Sequence, residues 1–259
     1  MTGQHAILPE VNKHRNASPS FLGFDPVGKQ FKVFAEGTYP CFMETDFWKI
    51  LTLGTEEPTW RSINGFPWYN NRSSEGICIN GVLYYLASRS ADETSTHMNT
   101  ICLDVRSEKF KNIDTGRCHV GLIHGAKLIN YKGRLGGVSL EYGKDDIGRR
   151  VLELTMWVLE DVEEQEGSAN VFTLSDDKIV DEEVFVAGVT SRGDIVLSMK
   201  RRVACKPFYV FYFNPESSVL QSVEIQGFGE LVGNIKVFVD HVEDIRTLDV
   251  IKTSARTEV

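Results

Sequence analysis

Hydrophobic and polar residues alternate in short runs along this chain, and helical spacing of apolar positions is almost absent. The segment from Ser20 to Phe34 shows the pattern well. An apolar run is followed by Asp-Pro-Val-Gly at 25–28, and then by a run in which Phe31 and Val33 share a face. Proline presets φ at the second turn position and glycine tolerates the positive φ that closes the turn. Alternation with a period of two around such a turn predicts a β-hairpin.

Four further strand-turn-strand units follow, and their turns, near residues 56, 107, 163 and 216, lie about 50 residues apart. They span Trp48–Ile63, Ile101–Ile113, Leu154–Leu174 and Phe208–Ile225. Three of them are preceded by another apolar strand with a glycine just before it, at Gly81, Gly133 and Gly193. The repeat therefore predicts strand, glycine turn, strand, loop, strand, acidic or Asn-Pro turn, and strand.

Four strands at this period are typical of a β-propeller blade. One small twisted sheet cannot cover its own faces, whereas radially stacked blades bury both faces of each. The sequence predicts an all-β fold, a kelch-like β-propeller or partial propeller of four-stranded blades, with three or four blades visible. A β-sandwich, with less regular spacing, is the alternative. We expect the domain to span residues 1–252 and residues 253–259 to form a disordered tail.

Composition and charge limit the kinds of partner that we expect the chain to bind. The 259 residues are 42% hydrophobic and 25% charged, which is ordinary for a packed globular protein. No apolar run approaches the roughly 20 residues that cross a bilayer, and the N-terminus has no secretory pattern. We therefore expect an intracellular protein, in the cytoplasm or nucleus, without a membrane partner. The net charge of −8 argues against a nucleic-acid partner.

The five cysteines are widely spaced and include no Cys-x-x-Cys pair that could hold zinc. We expect reduced thiols, with Cys78 and Cys102 acting as small hydrophobic residues inside strands. The only close histidines, His119 and His124, lack the spacing of a helical metal pair. We predict no metal site.

Motifs for catalysis and cofactor binding are missing from the sequence. It contains no nucleophile elbow, no phosphate-binding glycine loop and no dinucleotide fingerprint. Adjacent carboxylates do occur, in the pairs that begin at Asp145, Glu163, Asp176 and Glu182. General acid-base chemistry needs two carboxylates that converge across a cleft, so we interpret these pairs as solvated turns. We predict neither a cofactor nor an enzymatic activity.

An aromatic loop is the strongest candidate for partner binding. Trp68, Tyr69 and Arg72 belong to the residue types that anchor protein interfaces, because they bury much area at a small cost in rotamer freedom. The alternative is that Trp68 packs between two blades. Trp60 and Trp157 fall at strand positions and are predicted to lie in the core.

Several stretches together resemble the plant F-box-associated domain, the C-terminal region of many plant F-box proteins. They run along nearly the whole chain, at residues 20–33, 50–54, 60–61, 75–86, 104–110, 156–161 and 207–215. The resemblance implies a substrate-binding part of an SCF-type ubiquitin ligase adaptor, whose protein target is unknown.

The chain departs from the family pattern at its start. An F-box, about three short amphipathic helices that would dock the Skp-type subunit, does not occur before Ser20. The sequence begins with Met1-Thr2-Gly3-Gln4, as though inside the domain, so we expect an N-terminally incomplete propeller. Two alternatives stay open, a stand-alone interaction module or truncated product without a ligase link and, after it, an enzyme on a propeller scaffold.

Overall fold

The computed structural model describes residues 8–9, 11, 20–36, 48–55, 58–63, 71–88, 99–113, 126–161, 166–228 and 232–240. The chain divides into two compact units. Unit 1 comprises Met1–Asp114 with Val242–Val259, and unit 2 comprises Thr115–His241. Each unit contains two four-stranded antiparallel sheets.

Unit 1 holds sheets A and B, each a meander in which strands that follow one another in sequence pair with one another. The strands of sheet A are β1 Ser20–Asp25, β2 Gln30–Glu36, β3 Trp48–Thr52 and β4 Arg61–Ile63. The strands of sheet B are β5 Asn71–Ile79, β6 Val82–Ser88, β7 Asn99–Asp104 and β8 Phe110–Ile113.

Unit 2 holds sheet C, formed by β9 to β12, and sheet D, formed by β13, β14, β16 and β17. A short pair, β15 with β18, lies beside them, and α1 connects the two large sheets. The elements are β9 Lys127–Tyr131, β10 Arg134–Lys144, β11 Arg150–Asp161, β12 Glu166–Leu174, α1 Asp177–Val180, β13 Val184–Val189, β14 Ile195–Met199, β15 Arg201–Arg202, β16 Phe208–Asn214, β17 Val219–Ile225 and β18 Gly233–Asn234.

The core of unit 1 is built around aromatic rings from both of its sheets. Phe21 of β1 stacks on Tyr85 of β6 with the ring centroids 5.0 Å apart, and it lies 5.8 Å from Trp48 of β3. All three side chains are buried. Offset aromatic contacts of this kind stabilise a core beyond the area that they bury. Sheets A and B are therefore joined by a continuous aromatic cluster.

The core of unit 2 is mainly aliphatic. All five residues of β14 are buried, as expected for a strand covered on both faces. On the neighbouring sheet, Leu152, Leu154 and Met156 alternate along β11 and join the same core. Phe208, Phe211 and Phe213 of β16 complete it. Alternation in β11 and continuous burial in β14 follow directly from their sequences.

The structure confirms the predicted hairpins. Each predicted unit is an antiparallel pair, and each glycine turn at Gly81, Gly133 and Gly193 connects two paired strands. The core prediction is confirmed for Trp157 and Cys102 but is wrong for Trp60. Trp60 precedes β4 and is half-buried, because its indole donates a hydrogen bond to the Pro9 carbonyl near the surface. Cys78 is half-buried as well.

Candidate functional site

Three hairpins use the same four-residue turn, opened by an Asp or Asn side chain. Asp25, Asp104 and Asn214 each accept a backbone hydrogen bond within their own turn, at 2.9, 2.6 and 3.0 Å respectively. The last turn residue has positive φ in every case, at Lys29, Glu108 and Ser218. Short polar side chains that bind the following backbone are the usual cause of such turns. The sequence of each turn therefore fixes its shape locally.

The glycine turns follow a second rule. In Asn80-Gly81 and in Lys132-Gly133 both residues have positive φ, between 49° and 86°. This is the type I′ geometry, whose twist matches that of paired strands. Gly81 also lies against Pro26, so the β5–β6 turn contacts the β1–β2 turn. We call the end of sheets A and B that carries these turns the turn edge of unit 1. The end of sheet C that carries the Lys132-Gly133 turn is called the turn edge of unit 2.

At the turn edge of unit 1 a buried ion cluster joins sheets A and B. Lys32 of β2 donates to the Val105 carbonyl at 2.8 Å and to the Glu108 carboxylate at 2.7 Å. Arg61 of β4 binds the same carboxylate. Burial alone would raise the pKa of Glu108, but the hydrogen bonds from Arg61 and Lys32 outweigh it and hold that pKa below its ordinary value. Glu108 is therefore ionised, and its Oε1 atom accepts hydrogen bonds from two cationic side chains.

At the turn edge of unit 2 an analogous pair is exposed. Lys132 of the β9–β10 turn binds Glu216 of the β16–β17 turn. The hydrogen bond raises the pKa of Lys132 and lowers that of Glu216. Beside the pair, Asn214 donates to Asp194 at 2.8 Å. Because these polar groups already have partners, both turn edges are suited to hold the sheets together.

The other predicted chemical groups lie apart from one another. Asp145 accepts from the backbone of Arg149 and pairs with its side chain, and Asp176 caps α1. Glu182 and Glu183 pair with Lys206 and Lys200. The pair at 145–146 lies in a turn, as predicted, whereas Asp176 and Asp177 begin the helix α1 and the pair at 163–164 lies outside the described residues. Among the residues that the structure describes, no three His, Cys, Asp or Glu side chains could hold a metal ion.

The strand ends that flank the predicted contact loop lie at the end of unit 1 opposite its turns. There β4 ends at Ile63 and β5 begins at Asn71. Trp68 and Tyr69, between them, lie outside the described residues, as do His119 and His124. Arg72 belongs to β5, where its backbone lies opposite Ala87 of β6. The role of Trp68, Tyr69 and Arg72 as partner contacts therefore stays a prediction.

A groove with a volume of about 540 Å³ lies in unit 2, at the end of sheet D opposite its turns. It forms where the connection from β14 to β16 passes the last residues of β17. The lining residues are Arg202, Cys205, Lys206, Pro207, Phe208, Glu224, Ile225, Gln226, Gly227 and Phe228. This volume falls within the usual range of ligand and peptide sites.

The groove combines an aromatic base with a basic rim. Phe208 is buried and meets the half-buried Phe228 edge to face, with their centroids 5.2 Å apart. Arg202 is half-buried, and its Nη1 atom has no hydrogen-bond partner within the described part of the chain. Lys206 is exposed and forms a 3.3 Å pair with Glu182, which lies outside the lining. Such a site can hold an apolar side chain beside a negative charge.

Sequence reasoning missed this groove, although a signal was present. Residues 200–206 contain four basic residues and no acidic one, in a chain whose net charge is −8. A local basic run in an acidic protein favours a binding surface for anions. In the structure, however, Lys200 pairs with Glu183, so only part of the run faces the groove.

Comparison with known proteins gives one family. The profile of the F-box associated beta propeller domain matches residues 1–242. Within the described residues, no helix is long and apolar enough to cross a membrane. No solved structure matches the chain significantly.

Similar proteins are found in Arabidopsis thaliana. F-box protein At3g57590 is 51% identical over 255 residues, which cover 95% of this chain and 61% of that protein. Putative F-box protein At5g42430 is 47% identical, with 94% and 61% covered, and F-box protein At2g15640 is 42% identical, with 96% and 62% covered. The chain thus spans about three fifths of the length of these relatives.

The family match agrees with the four four-stranded sheets and confirms the β-propeller predicted from the repeat. It also confirms the resemblance found in the sequence, whereas the kelch-like subtype stays a prediction. From the matched profile and the identity to these relatives, the chain belongs to the F-box associated beta propeller domain family.

Proposed function

We propose that this chain is the target-recognition part of an SCF-type ubiquitin ligase adaptor. The observation that carries the proposal is the family match over residues 1–242, which includes all four sheets. Relatives with this region are named F-box proteins, and about two fifths of their length lies outside the match. In the proposal an F-box joined to this propeller docks a Skp-type subunit, while the propeller binds the protein to be ubiquitinated.

The described polar groups support recognition in preference to catalysis. The carboxylates at the turns accept backbone hydrogen bonds or pair with cations, so they stabilise the sheets. A scaffold with fixed turns at one edge leaves the connections at the other edge free to vary between relatives without loss of the fold. The proposed role is non-enzymatic and intracellular, in the cytoplasm or nucleus.

Trp68, Tyr69 and Arg72 remain the proposed target contacts in unit 1. Trp68 and Tyr69 belong to the loop between Ile63 of β4 and Asn71 of β5, and Arg72 follows in β5; both strand ends lie opposite the ion cluster that fixes the turn edge. Aromatic residues and arginine carry a large share of the binding energy in protein interfaces. Their replacement should therefore weaken target binding while the sheets stay folded.

The test is affinity capture from plant cells with the proteasome inhibited. Three tagged proteins are compared: the 259-residue chain alone, the chain preceded by an F-box, and the F-box form with W68A/Y69A/R72A. We expect the F-box form to recover a Skp-type subunit together with a target that becomes ubiquitinated. The chain alone should retain the target and lose the Skp-type subunit, and the triple variant should do the reverse.

Two results would contradict the proposal. If the F-box form recovers no Skp-type subunit, the ligase role is wrong and a stand-alone interaction module becomes the better description. If it recovers the Skp-type subunit but increases ubiquitination of no captured protein, the propeller is not a target-recognition part. Circular dichroism of the triple variant checks that any loss of binding is not a loss of fold.

A further inference from the structure

We propose that the groove of sheet D binds an extended acidic segment of the target protein. In this segment a large apolar residue enters the groove, and aspartate or glutamate residues flank it. The inference rests on the proposed function, because it names the class of segment that the domain would recognise. The groove lies in unit 2 and does not include the predicted contacts Trp68, Tyr69 and Arg72.

The apolar part of the groove offers a seat for one side chain. Ile225, the last residue of β17, is 38% exposed, and Phe228 is half-buried beside the ring of Phe208. An exposed isoleucine next to an accessible aromatic face is costly in water unless a partner covers it. Leucine or phenylalanine has the size and chemistry to fill the space between them.

The charged residues of the groove determine which residues can flank the apolar side chain in the bound segment. Arg202 and Lys206 line the groove with one acidic residue, Glu224, and Lys206 also pairs at 3.3 Å with Glu182 outside the lining. The Nη1 atom of Arg202 is shielded from solvent and lacks a hydrogen-bond partner in the described part of the chain. Arg202 as a whole is half-buried and lines the groove, and a carboxylate forms charge-assisted hydrogen bonds with a guanidinium group in such a position. Aspartate or glutamate therefore completes the site.

The backbone at this end of sheet D favours an extended ligand. β17 is the last strand in the order β13-β14-β16-β17, and it pairs only with β16 among the described strands. A strand at a sheet edge presents unpaired N–H and C=O groups that an extended peptide can use. The segment would pass along the end of β17, with its apolar residue in the groove and its carboxylates on Arg202 and Lys206.

The test uses the full chain and the fluorescein-labelled peptide Gly-Ser-Asp-Glu-Leu-Phe-Asp-Glu-Ser-Gly, titrated by fluorescence anisotropy. We expect R202Q/K206Q to raise its Kd at least about tenfold, because both charge-assisted contacts are lost. The matched control R134Q/R192Q removes two exposed arginines near the turn edge of unit 2 and should leave the Kd unchanged. Peptides with Lys for Asp and Glu, or Ser-Ser for Leu-Phe, should bind much more weakly.

A second measurement uses the unmodified chain, without any substitution in the groove. Cys205 is exposed and lines the groove, whereas Cys78 is half-buried in unit 1. Alkylation of each thiol by iodoacetamide is followed by mass spectrometry with and without the peptide. Saturating peptide should slow alkylation of Cys205 several-fold and leave the rate at Cys78 unchanged. This readout keeps the test valid if R202Q/K206Q folds poorly.

The inference is overturned if the peptide does not bind up to about 1 mM, a limit that corresponds to about −4 kcal/mol. It is also overturned if R202Q/K206Q binds equally well, if the lysine peptide binds as tightly, or if Cys205 is not protected. Failure of the proposed function looks different. In that case the peptide binds in the groove, yet the F-box form increases ubiquitination of no captured protein.

Discussion

The two units of this propeller domain join their sheets with the same kind of ion pair in different surroundings. In unit 1 the side chains of Lys32 and Glu108 are 8% and 14% exposed, whereas in unit 2 those of Lys132 and Glu216 are 39% and 67% exposed. Loss of a partner in a buried pair leaves a charge poorly solvated, but water replaces the partner in an exposed pair. The two ion pairs should therefore contribute unequally to the free energy of unfolding, although their chemistry is the same.

The surrounding cores differ in a related way. Unit 1 joins its sheets with an aromatic cluster and a three-residue ion cluster, of which Arg61 is the exposed member. Unit 2 joins its sheets with a mainly aliphatic core that includes the edge-to-face pair of Phe172 and Phe213, with the exposed ion pair, and with a hydroxyl bridge from Tyr142. The contacts between sheets A and B should be more sensitive to single polar substitutions than those between sheets C and D.

The largest expected effect comes from Glu108→Gln. The variant keeps the shape and one carbonyl acceptor but removes the charge that Lys32 and Arg61 share, so the free energy of unfolding should fall by about 2 to 3 kcal/mol. The matched variant is Glu216→Gln, for which we expect a loss of less than about 0.5 kcal/mol. Urea unfolding, followed by tryptophan fluorescence and circular dichroism, measures both. Equal losses in the two variants would refute the comparison.

The hairpins that carry both ion pairs could be predicted from sequence, because each hairpin is determined by residues that are close together in the chain. Alternation in Phe31 and Val33, the Asp-Pro-Val-Gly turn, and the glycines at 81 and 133 each act within a few residues. The family resemblance depends on these same stretches. The repeat of about 50 residues then indicated the propeller without any knowledge of contacts between strands.

The ion pairs themselves could not be predicted, because their partners are 76 and 84 residues apart in sequence. The same limit explains the wrong core prediction for Trp60, since its partner Pro9 is 51 residues away. For the candidate site, the aromatic loop was found from residue types alone. The groove required the approach of Arg202 to the end of β17, which no local pattern encodes.

The next largest effect should come from Gly76→Ala in unit 1. A Cβ atom at Gly76 would lie 2.6 Å from the Phe21 ring and 3.1 Å from the Tyr84 carbonyl, so the aromatic cluster would have to shift. Overpacking of this kind costs about 1 to 3 kcal/mol, and we expect about 2. Gly143→Ala in unit 2 is the control, since its nearest neighbours are 3.7 Å away. Thermal and urea unfolding should show a clear loss only for Gly76→Ala.

A smaller effect is expected for Tyr142→Phe in unit 2. The hydroxyl donates to the Glu182 carbonyl at 2.7 Å and accepts from the Val184 N–H at 3.1 Å, and it thereby ties sheet C to the start of sheet D. Loss of this bridge should lower the free energy of unfolding by about 1 kcal/mol. Tyr212→Phe, at an exposed position on β16, should change it by less than about 0.5 kcal/mol. A neutral Tyr142→Phe would show that this hydroxyl bridge contributes nothing measurable to joining the two sheets.

The smallest effect, and the one that isolates charge from packing, is the pH dependence of the Glu108 contribution. Burial raises the pKa of Glu108, but Arg61 and Lys32 outweigh burial and hold it below the ordinary value of 4.5. A carboxyl with a lower pKa in the folded chain stabilises the fold above its unfolded pKa, and that stabilisation is lost as pH falls through the folded pKa.

The difference in unfolding free energy between the unmodified chain and Glu108→Gln should therefore be full above pH 4.5 and narrow below it. Urea unfolding between about pH 7 and pH 3.5 measures this difference. For Glu216→Gln the difference should be small at every pH and vanish in about 1 M salt, which screens exposed charges. A Glu108→Gln difference that stays constant down to the lowest pH would mean that the carboxylate acts through its shape and not through its charge, and the burial of the ion pair would then no longer distinguish unit 1 from unit 2.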